Sequence, residues 1–227
     1  MEQNESKLPF LSKNFKYDVP SDLLDQNDIP ISDSQQYTKY MVEFLNQSSR
    51  YAVGMVDMVN SSKISAQIGP KKSSRYYQVF LNFMSKIIFI HGGTVIKNVG
   101  DSLFYYFTNS EKLAHDSCIQ CGLDMIRFQK IISQQLVREG LPDLDYRVSA
   151  DYGTVLLMKT THTESLDMIG SPVNMCAKIN RLAAKNQFVI GNDLFLLAKE
   201  LGDYKFKEIN DFSLGFKQSY PVYSVSG

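Results

Sequence analysis

The sequence predicts an α+β fold, in which an antiparallel, split βαβ sheet is covered by helices. Apolar runs of strand length occur together with two long segments of helical periodicity, and their order is strand, helix, strand, strand, helix, strand. No period of 20–50 residues indicates a repeat protein. A chain of 227 residues with 44% hydrophobic content can bury one substantial core, so we expect a single main domain.

Residues 1–33 are predicted to be a flexible tail or linker, because they contain three prolines among many polar residues and few clustered apolar ones. Residues 34–50 are predicted to form a helix that leads into the main domain at residues 51–227. Its apolar residues recur at helical spacing: Tyr37, Tyr40, Met41, Phe44 and Leu45.

The first half of the main domain is predicted from two apolar patterns. The run YAVGMVDMV indicates a central strand at 51–59, and apolar residues at steps of three and four indicate a helix at 74–90. A turn at Gly100-Asp101 then joins two strands, since glycine and aspartate favour turns. The expected hairpin strands are 94–99 and 103–107, followed by a long helix at 111–137.

The second half is predicted to contain shorter strands and helices. The predicted elements are strands at 145–151 and 154–159, a helix at 172–184, a strand at 187–190, a helix at 192–200, and one or two closing strands.

Composition excludes several classes of protein. Lys+Arg and Asp+Glu both number 24, so no overall charge attracts nucleic acid or an anionic membrane. No apolar run approaches the roughly 20 residues that span a bilayer, and the polar start MEQNESK does not resemble a signal peptide. We therefore expect a cytoplasmic protein that contacts neither membrane nor nucleic acid.

Cys118 and Cys121 form a C-x-x-C pair, a spacing that also occurs in zinc and redox sites. No second cysteine cluster accompanies it, and both thiols lie on the apolar stripe of the predicted helix at 111–137. Burial in the core is therefore the preferred interpretation.

Asp57 and Asp101 each follow an apolar strand, and they would converge if those strands are neighbours. Either residue alone has an ordinary explanation as a turn residue or helix cap. Two carboxylates at one sheet edge would instead suggest a site for divalent metal.

Three stretches, in the same order, resemble the catalytic domain of class III nucleotidyl cyclases, the adenylate and guanylate cyclase family. They are VDMVNSSKIS, GGTVIKNVGDSLFYYF and LDMIGSPVNMCAKINRLAA, and the resemblance covers about residues 50–225. It implies the class III cyclase fold, a ferredoxin-like, palm-type sheet. It also implies conversion of ATP to 3′,5′-cyclic AMP and pyrophosphate in cyclic-nucleotide signalling.

The resemblance also implies roles for individual residues. Two Mg²⁺ or Mn²⁺ ions per site would be held by Asp57, Asp101 and the Met58 carbonyl, while Lys97 and Asp167 would read adenine. Asn174 would orient the ribose, and an arginine usually stands where this chain has Lys178. A lysine lacks the bidentate fork of arginine, so we hypothesise that Arg181, on the same helical face, shares the role of contacting phosphate.

Two other segments differ from the family pattern. Asn60, Ser61 and Ser62 replace a Gly-Phe-Thr type of loop that wraps the terminal phosphates, and serine hydroxyls can also donate to phosphate. Near the C-terminus, Leu214 stands where a lysine is often found.

The resemblance finally implies a head-to-tail homodimer, because the family builds each active site from two catalytic domains and this chain carries both sets of residues. An upstream sensor protein could then act through the helix at 34–50. The alternative function is a catalytically silent cyclase-homology module that binds nucleotide or serves only in dimerisation and regulation, which Lys178 and Leu214 favour.

Overall fold

The computed structural model describes residues 42–108, 114–160, 166–201, 204–209 and 220–227. The predicted tail at 1–33, the first part of the helix predicted at 34–50, and Leu214 all lie outside the described residues. No helix among the described residues is both long and apolar enough to cross a membrane.

Eight strands form one sheet in the order β2-β3-β1-β4-β6-β8-β7, with β5 paired to β4. All pairs are antiparallel except β4 with β6. The strands are β1 Val42–Met58, β2 Thr94–Val99, β3 Ser102–Phe107, β4 Tyr146–Thr160, β5 Leu166–Gly170, β6 Gln187–Gly191, β7 Lys205–Glu208 and β8 Val222–Ser226. The order β2-β3-β1-β4 with two intervening helices is the predicted split βαβ arrangement, so the fold class is confirmed.

Four helices cover the sheet: α1 Ser61–Ile90, α2 Ala114–Arg138, α3 Ser171–Asn180 and α4 Asn192–Ala198. Side chains of α1, α2 and α4 share the main core with one face of the sheet. Cys176 of α3 packs with apolar residues of the opposite face.

The strand β1 lies inside the sheet, between β3 and β4, and alternates between its two faces. Val56 and Met58 face the main core, whereas Val53 and Met55 face the cluster that contains Cys176. This alternation places Asp57 on the face covered by α3, at the end of the strand.

The helix predicted at 34–50 is wrong over residues 42–50, which belong to β1. This part of β1 pairs with the far end of β4, for example Val42 with Thr160 and Phe44 with Met158. Pairing with β4 satisfies the backbone hydrogen bonds of these residues. This tertiary contact outweighs the helical spacing of the apolar residues.

The first helix begins at Ser61, 13 residues before its predicted start at 74. Gly69 leaves helical geometry, with φ 78° and ψ 168°. The chain nevertheless resumes a helix at Pro70, because proline is tolerated in a first helical turn. The Ser73 hydroxyl donates to the Gly69 carbonyl at 2.8 Å across this break.

The two strands predicted at 145–151 and 154–159 are one continuous strand, β4. Gly153, which lies between the two predicted strands, is within β4 and faces α3. A β-carbon on Gly153 would be 3.3 Å from the Pro172 side chain, so the glycine permits close helix packing. The strand β5 was not predicted.

Cys118 and Cys121 are completely buried on α2, which confirms that they belong to the core. Burial raises the pKa of both thiols well above the ordinary value. Both side chains are therefore neutral thiols that pack as small apolar groups.

Candidate active site

Asp57 and Asp101 converge at one edge of the sheet. Asp57 lies opposite Ser102 in the β1–β3 ladder, and Asp101 occupies the turn just before Ser102. The amide of Met58 donates to the carbonyl of Asp101 at 3.4 Å, which ties this turn to the end of β1. Gly100, with φ 62°, gives the turn its left-handed residue.

Each of the two aspartates accepts a hydrogen bond from a serine hydroxyl. Ser102 donates to Oδ1 of Asp57, and Ser61 donates to Oδ2 of Asp101. These bonds fix one oxygen of each carboxylate within the fold.

The loop predicted at Asn60, Ser61 and Ser62 is shorter than expected. Asn60 adopts a left-handed conformation with φ 59°, and α1 begins at the next residue. Ser61 is buried against Asp101, whereas Ser62 is exposed. The three residues thus form a tight turn and a helix start, and a contact between Ser62 and phosphate stays a prediction.

Burial raises the pKa of Asp57, and the nearby charge of Asp101 raises it further. The Ser102 hydrogen bond and the positive charges of Arg147 and Arg181 act in the opposite direction. Two carboxylates this close repel each other, and a divalent cation between them would relieve that repulsion. The pair therefore fits a hard cation of the Mg²⁺ or Mn²⁺ kind.

Within the described residues, no group of three or more His, Cys, Asp or Glu side chains could hold a metal. Two carboxylates alone leave most of the coordination positions of such a cation open. The remaining ligands would be oxygens of the backbone, of water or of a bound phosphate, as is common for magnesium.

Arg147 is a site residue that the sequence reasoning missed. It lies directly opposite Asp57 in the β1–β4 ladder, and its Nε is buried without a partner among the described residues. Asn180 of α3 donates to the Arg147 carbonyl at 3.3 Å. Its sequence signal was weak, since one arginine at the start of a predicted strand is usually a surface residue.

Lys97 and Asp167 are 70 residues apart in sequence, but the fold brings them together as an ion pair. Lys97 comes from β2 and Asp167 from β5. The second oxygen of Asp167 accepts from the Met168 amide at 2.7 Å. The two side chains are 39% and 27% exposed, so a ligand can reach them.

Asn174, Lys178 and Arg181 share one exposed stripe of α3 and the residue that ends it. The helix begins at Ser171 with Gly170 as its cap, and no side chain caps it. Gly170 is needed there because a β-carbon would come within 2.5 Å of the Thr154 carbonyl oxygen.

The fold and the paired acids define a nucleotidyl cyclase type of domain. Residues 45–227 match the Adenylate and Guanylate cyclase catalytic domain family. The chain belongs to this family.

Solved structures from the family have the same fold. The adenylyl cyclase CyaB from P. aeruginosa superposes with a TM-score of 0.73 at 21% identity, covering 80% of this chain and 95% of that one. The guanylyl cyclase Cya2 gives a TM-score of 0.71 at 18% identity, covering 80% and 93%. One of them is named an adenylyl cyclase and the other a guanylyl cyclase, so the shared fold does not decide between an adenine and a guanine nucleotide.

Among curated proteins, an uncharacterized protein of Mycobacterium tuberculosis, Rv2212, is 21% identical over 165 residues. The match covers 72% of this chain and 38% of the relative. The chain thus spans about two fifths of the length of the relatives it matches.

Proposed function

We propose that this chain converts ATP to 3′,5′-cyclic AMP and pyrophosphate. The observation that carries the proposal is the convergence of Asp57 and Asp101 at one sheet edge, each held by a serine hydroxyl. Cyclisation requires the ribose 3′ hydroxyl to attack the α-phosphate while pyrophosphate leaves, and the negative charge on the phosphates must be neutralised.

Mg²⁺ or Mn²⁺ held by Asp57, Asp101 and the Met58 carbonyl would supply charge neutralisation and activation of the hydroxyl. The two aspartates bring negative charge to a position where Arg147 and Arg181 supply positive charge. A triphosphate at this edge would meet both arginines. Arg147 would act through its charge, because its Nε is buried.

Asn174 is proposed to orient the ribose, and Lys178 and Arg181 to stabilise charge on the α-phosphate. Support comes from the shared exposed stripe of these three side chains along α3. The positive charge of Arg181 acts to lower the pKa of Asp57 in the same chain, so the two side chains lie near each other.

The pair Lys97–Asp167 supports ATP over GTP as substrate. The amino group of adenine can donate to the Asp167 carboxylate, and Lys97 can donate to a ring nitrogen. Guanine instead presents a carbonyl oxygen at the position of that amino group, and a carboxylate beside it would be repelled. The ion pair already holds both side chains near each other before any base arrives.

Exposed apolar side chains support a homodimer. Phe44, Leu156 and Ile169 are 38–49% exposed and lie on one face of the adjacent strands β1, β4 and β5. This patch includes the strand of Asp167, so a partner seated on it would lie next to the proposed base-reading pair.

The proposal is tested with purified full chain, Mn²⁺ and either ATP or GTP. We expect cyclic AMP and pyrophosphate in equal amounts from ATP, less product from GTP, and no product from Asp57→Ala. Cyclic nucleotide at the same rate from Asp57→Ala and wild type would overturn the proposal. A preference for GTP would leave a cyclase but refute the roles of Lys97 and Asp167.

A catalytically silent cyclase-homology module is the second candidate, and Lys178 in place of arginine favours it. The same assay separates the two functions. Nucleotide binding measured by calorimetry, without any product, would support the silent module.

A further inference from the structure

Ser61 makes a contact that its position in the sequence does not suggest. Its side chain is 7% exposed, and its hydroxyl donates to Oδ2 of Asp101, which is 40 residues away. The left-handed turn at Asn60 directs the chain so that the first residue of α1 faces the β2–β3 turn. The Ile64 amide donates to the Asn60 carbonyl at 3.0 Å and holds this turn in place.

Ser102 makes an equivalent contact on the other acid. It is also 7% exposed, and its hydroxyl donates to Oδ1 of Asp57. The two serines come from different elements, α1 and β3, and each engages only one oxygen of its carboxylate. Asp57 Oδ2 and Asp101 Oδ1 have no hydrogen-bond donor from the described residues.

A carboxylate held by one oxygen has lost most of its freedom to rotate. Its second oxygen is then presented in one direction, which favours binding a cation through a single oxygen. Groups that orient metal ligands in this way contribute strongly to affinity, and their loss typically lowers metal affinity about 10- to 100-fold.

We propose that Ser61 is a positioning residue of the metal site, which holds Asp101 so that Oδ1 faces the cation, and that Ser102 does the same for Asp57. This inference rests on the proposed function, because it assumes that the two aspartates bind metal. It assigns to Ser61 a role in metal binding, whereas the sequence had suggested a contact with phosphate.

The test measures Mn²⁺ binding directly. Free Mn²⁺ is followed by electron paramagnetic resonance while manganese is titrated into the full chain, alone and with an ATP analogue that carries a methylene bridge between the α and β phosphates. The variants are Ser61→Ala, Ser61→Thr, Ser102→Ala and Asp101→Asn. Ser74→Ala is the matched control, since Ser74 is an exposed serine of the same helix.

We expect Ser61→Ala and Ser102→Ala to weaken Mn²⁺ binding about tenfold or more. Ser61→Thr should retain wild-type binding because it keeps the hydroxyl, and Ser74→Ala should also bind as wild type. Thermal melting without metal checks that each variant is folded. If Ser61→Ala does not fold, Ser102→Ala still tests the proposal.

Two results would overturn the inference in distinguishable ways. If wild type binds Mn²⁺ more tightly than Asp101→Asn but Ser61→Ala binds like Ser74→Ala, then Ser61 has no positioning role and the proposed function stands. Weak binding by both Ser61→Ala and Ser61→Thr would likewise show that the hydroxyl is not the cause. If wild type binds no more tightly than Asp101→Asn, the metal site itself fails, and the proposed function fails with it.

Discussion

Asp151 is the most buried acidic side chain among the described residues, with 2% exposure. The Tyr220 hydroxyl approaches its two oxygens at 2.9 and 3.1 Å, and the Leu194 amide lies 3.4 Å from one of them. Burial raises the pKa of Asp151 to about 7, although these hydrogen bonds oppose the shift, and the charge of Asp193 adds to it.

The raised pKa predicts a pH-dependent stability. In the unfolded chain Asp151 ionises near its ordinary pKa of 3.8, whereas in the folded chain it stays protonated up to about pH 7. The folded state therefore binds the extra proton, and its stability falls as the pH rises from about 4 to about 7, with no further loss above that. Asp151→Asn removes this titration.

We expect the free energy of unfolding of Asp151→Asn, relative to wild type, to increase by about 2 kcal/mol between pH 5 and pH 8. Chemical denaturation at both pH values measures the difference. Glu200→Gln, at an exposed acid that does not contribute to the shift at Asp151, is the control and should show no such increase. If the free energy of unfolding of Asp151→Asn differs from that of wild type by the same amount at both pH values, the raised pKa of Asp151 is contradicted.

At the level of single elements, α3 carries the departure from the family pattern. Lys178 stands one turn after Asn174, and Arg181 follows three residues later on the same exposed stripe. If the two cations share the contact with the α-phosphate, each can partly replace the other. A charged hydrogen bond contributes about 1.5–3 kcal/mol, which corresponds to roughly 10- to 100-fold in rate.

We therefore expect Lys178→Ala and Arg181→Ala each to lower kcat for ATP about tenfold or more, and the double variant to lose measurable turnover. Steady-state kinetics measures the effect. Lys199→Ala, an exposed lysine that follows α4, is the control and should retain wild-type kcat. Sharing is refuted if Arg181→Ala turns over like wild type while Lys178→Ala is inactive.

At the level of the whole molecule, a head-to-tail homodimer would draw the metal acids of each site from one subunit and the ribose-binding helix from its partner. Asp57→Ala and Asn174→Ala should each be inactive alone. A mixed dimer of the two has one site with both sets of residues intact. Random mixing should therefore restore up to about a quarter of wild-type activity.

The measurement is cyclic AMP formation after equal amounts of the two variants are mixed. No recovered activity, from variants shown to exchange subunits, would contradict sites shared between chains. Replacing Asn174→Ala by Arg181→Ala in the mixture reports which site Arg181 serves. Activity should rise to about a quarter of wild type if Arg181 acts on the partner's metal site. It should not exceed the activity of Arg181→Ala measured alone if Arg181 acts beside its own Asp57.

Much of the fold could be predicted because local patterns and tertiary structure agree. The strand at 94–99 was predicted with its observed bounds, and the helix of Cys118 and Cys121 lies where its periodicity indicated. Predictions were wrong where packing decides the conformation. Gly153 lies inside a strand because α3 must approach it closely, and residues 42–50 extend because β4 continues beside them.

The candidate site shows the same division. The sequence by itself determined the family, the paired acids and the residues proposed to read the base, because these depend on residue type and order along the chain. Only the tertiary structure decided that Lys97 meets Asp167, that Arg147 lies opposite Asp57 and that Ser61 binds Asp101. These contacts join elements 40 or more residues apart, and strand register, which no local pattern specifies, determines which side chains face each other.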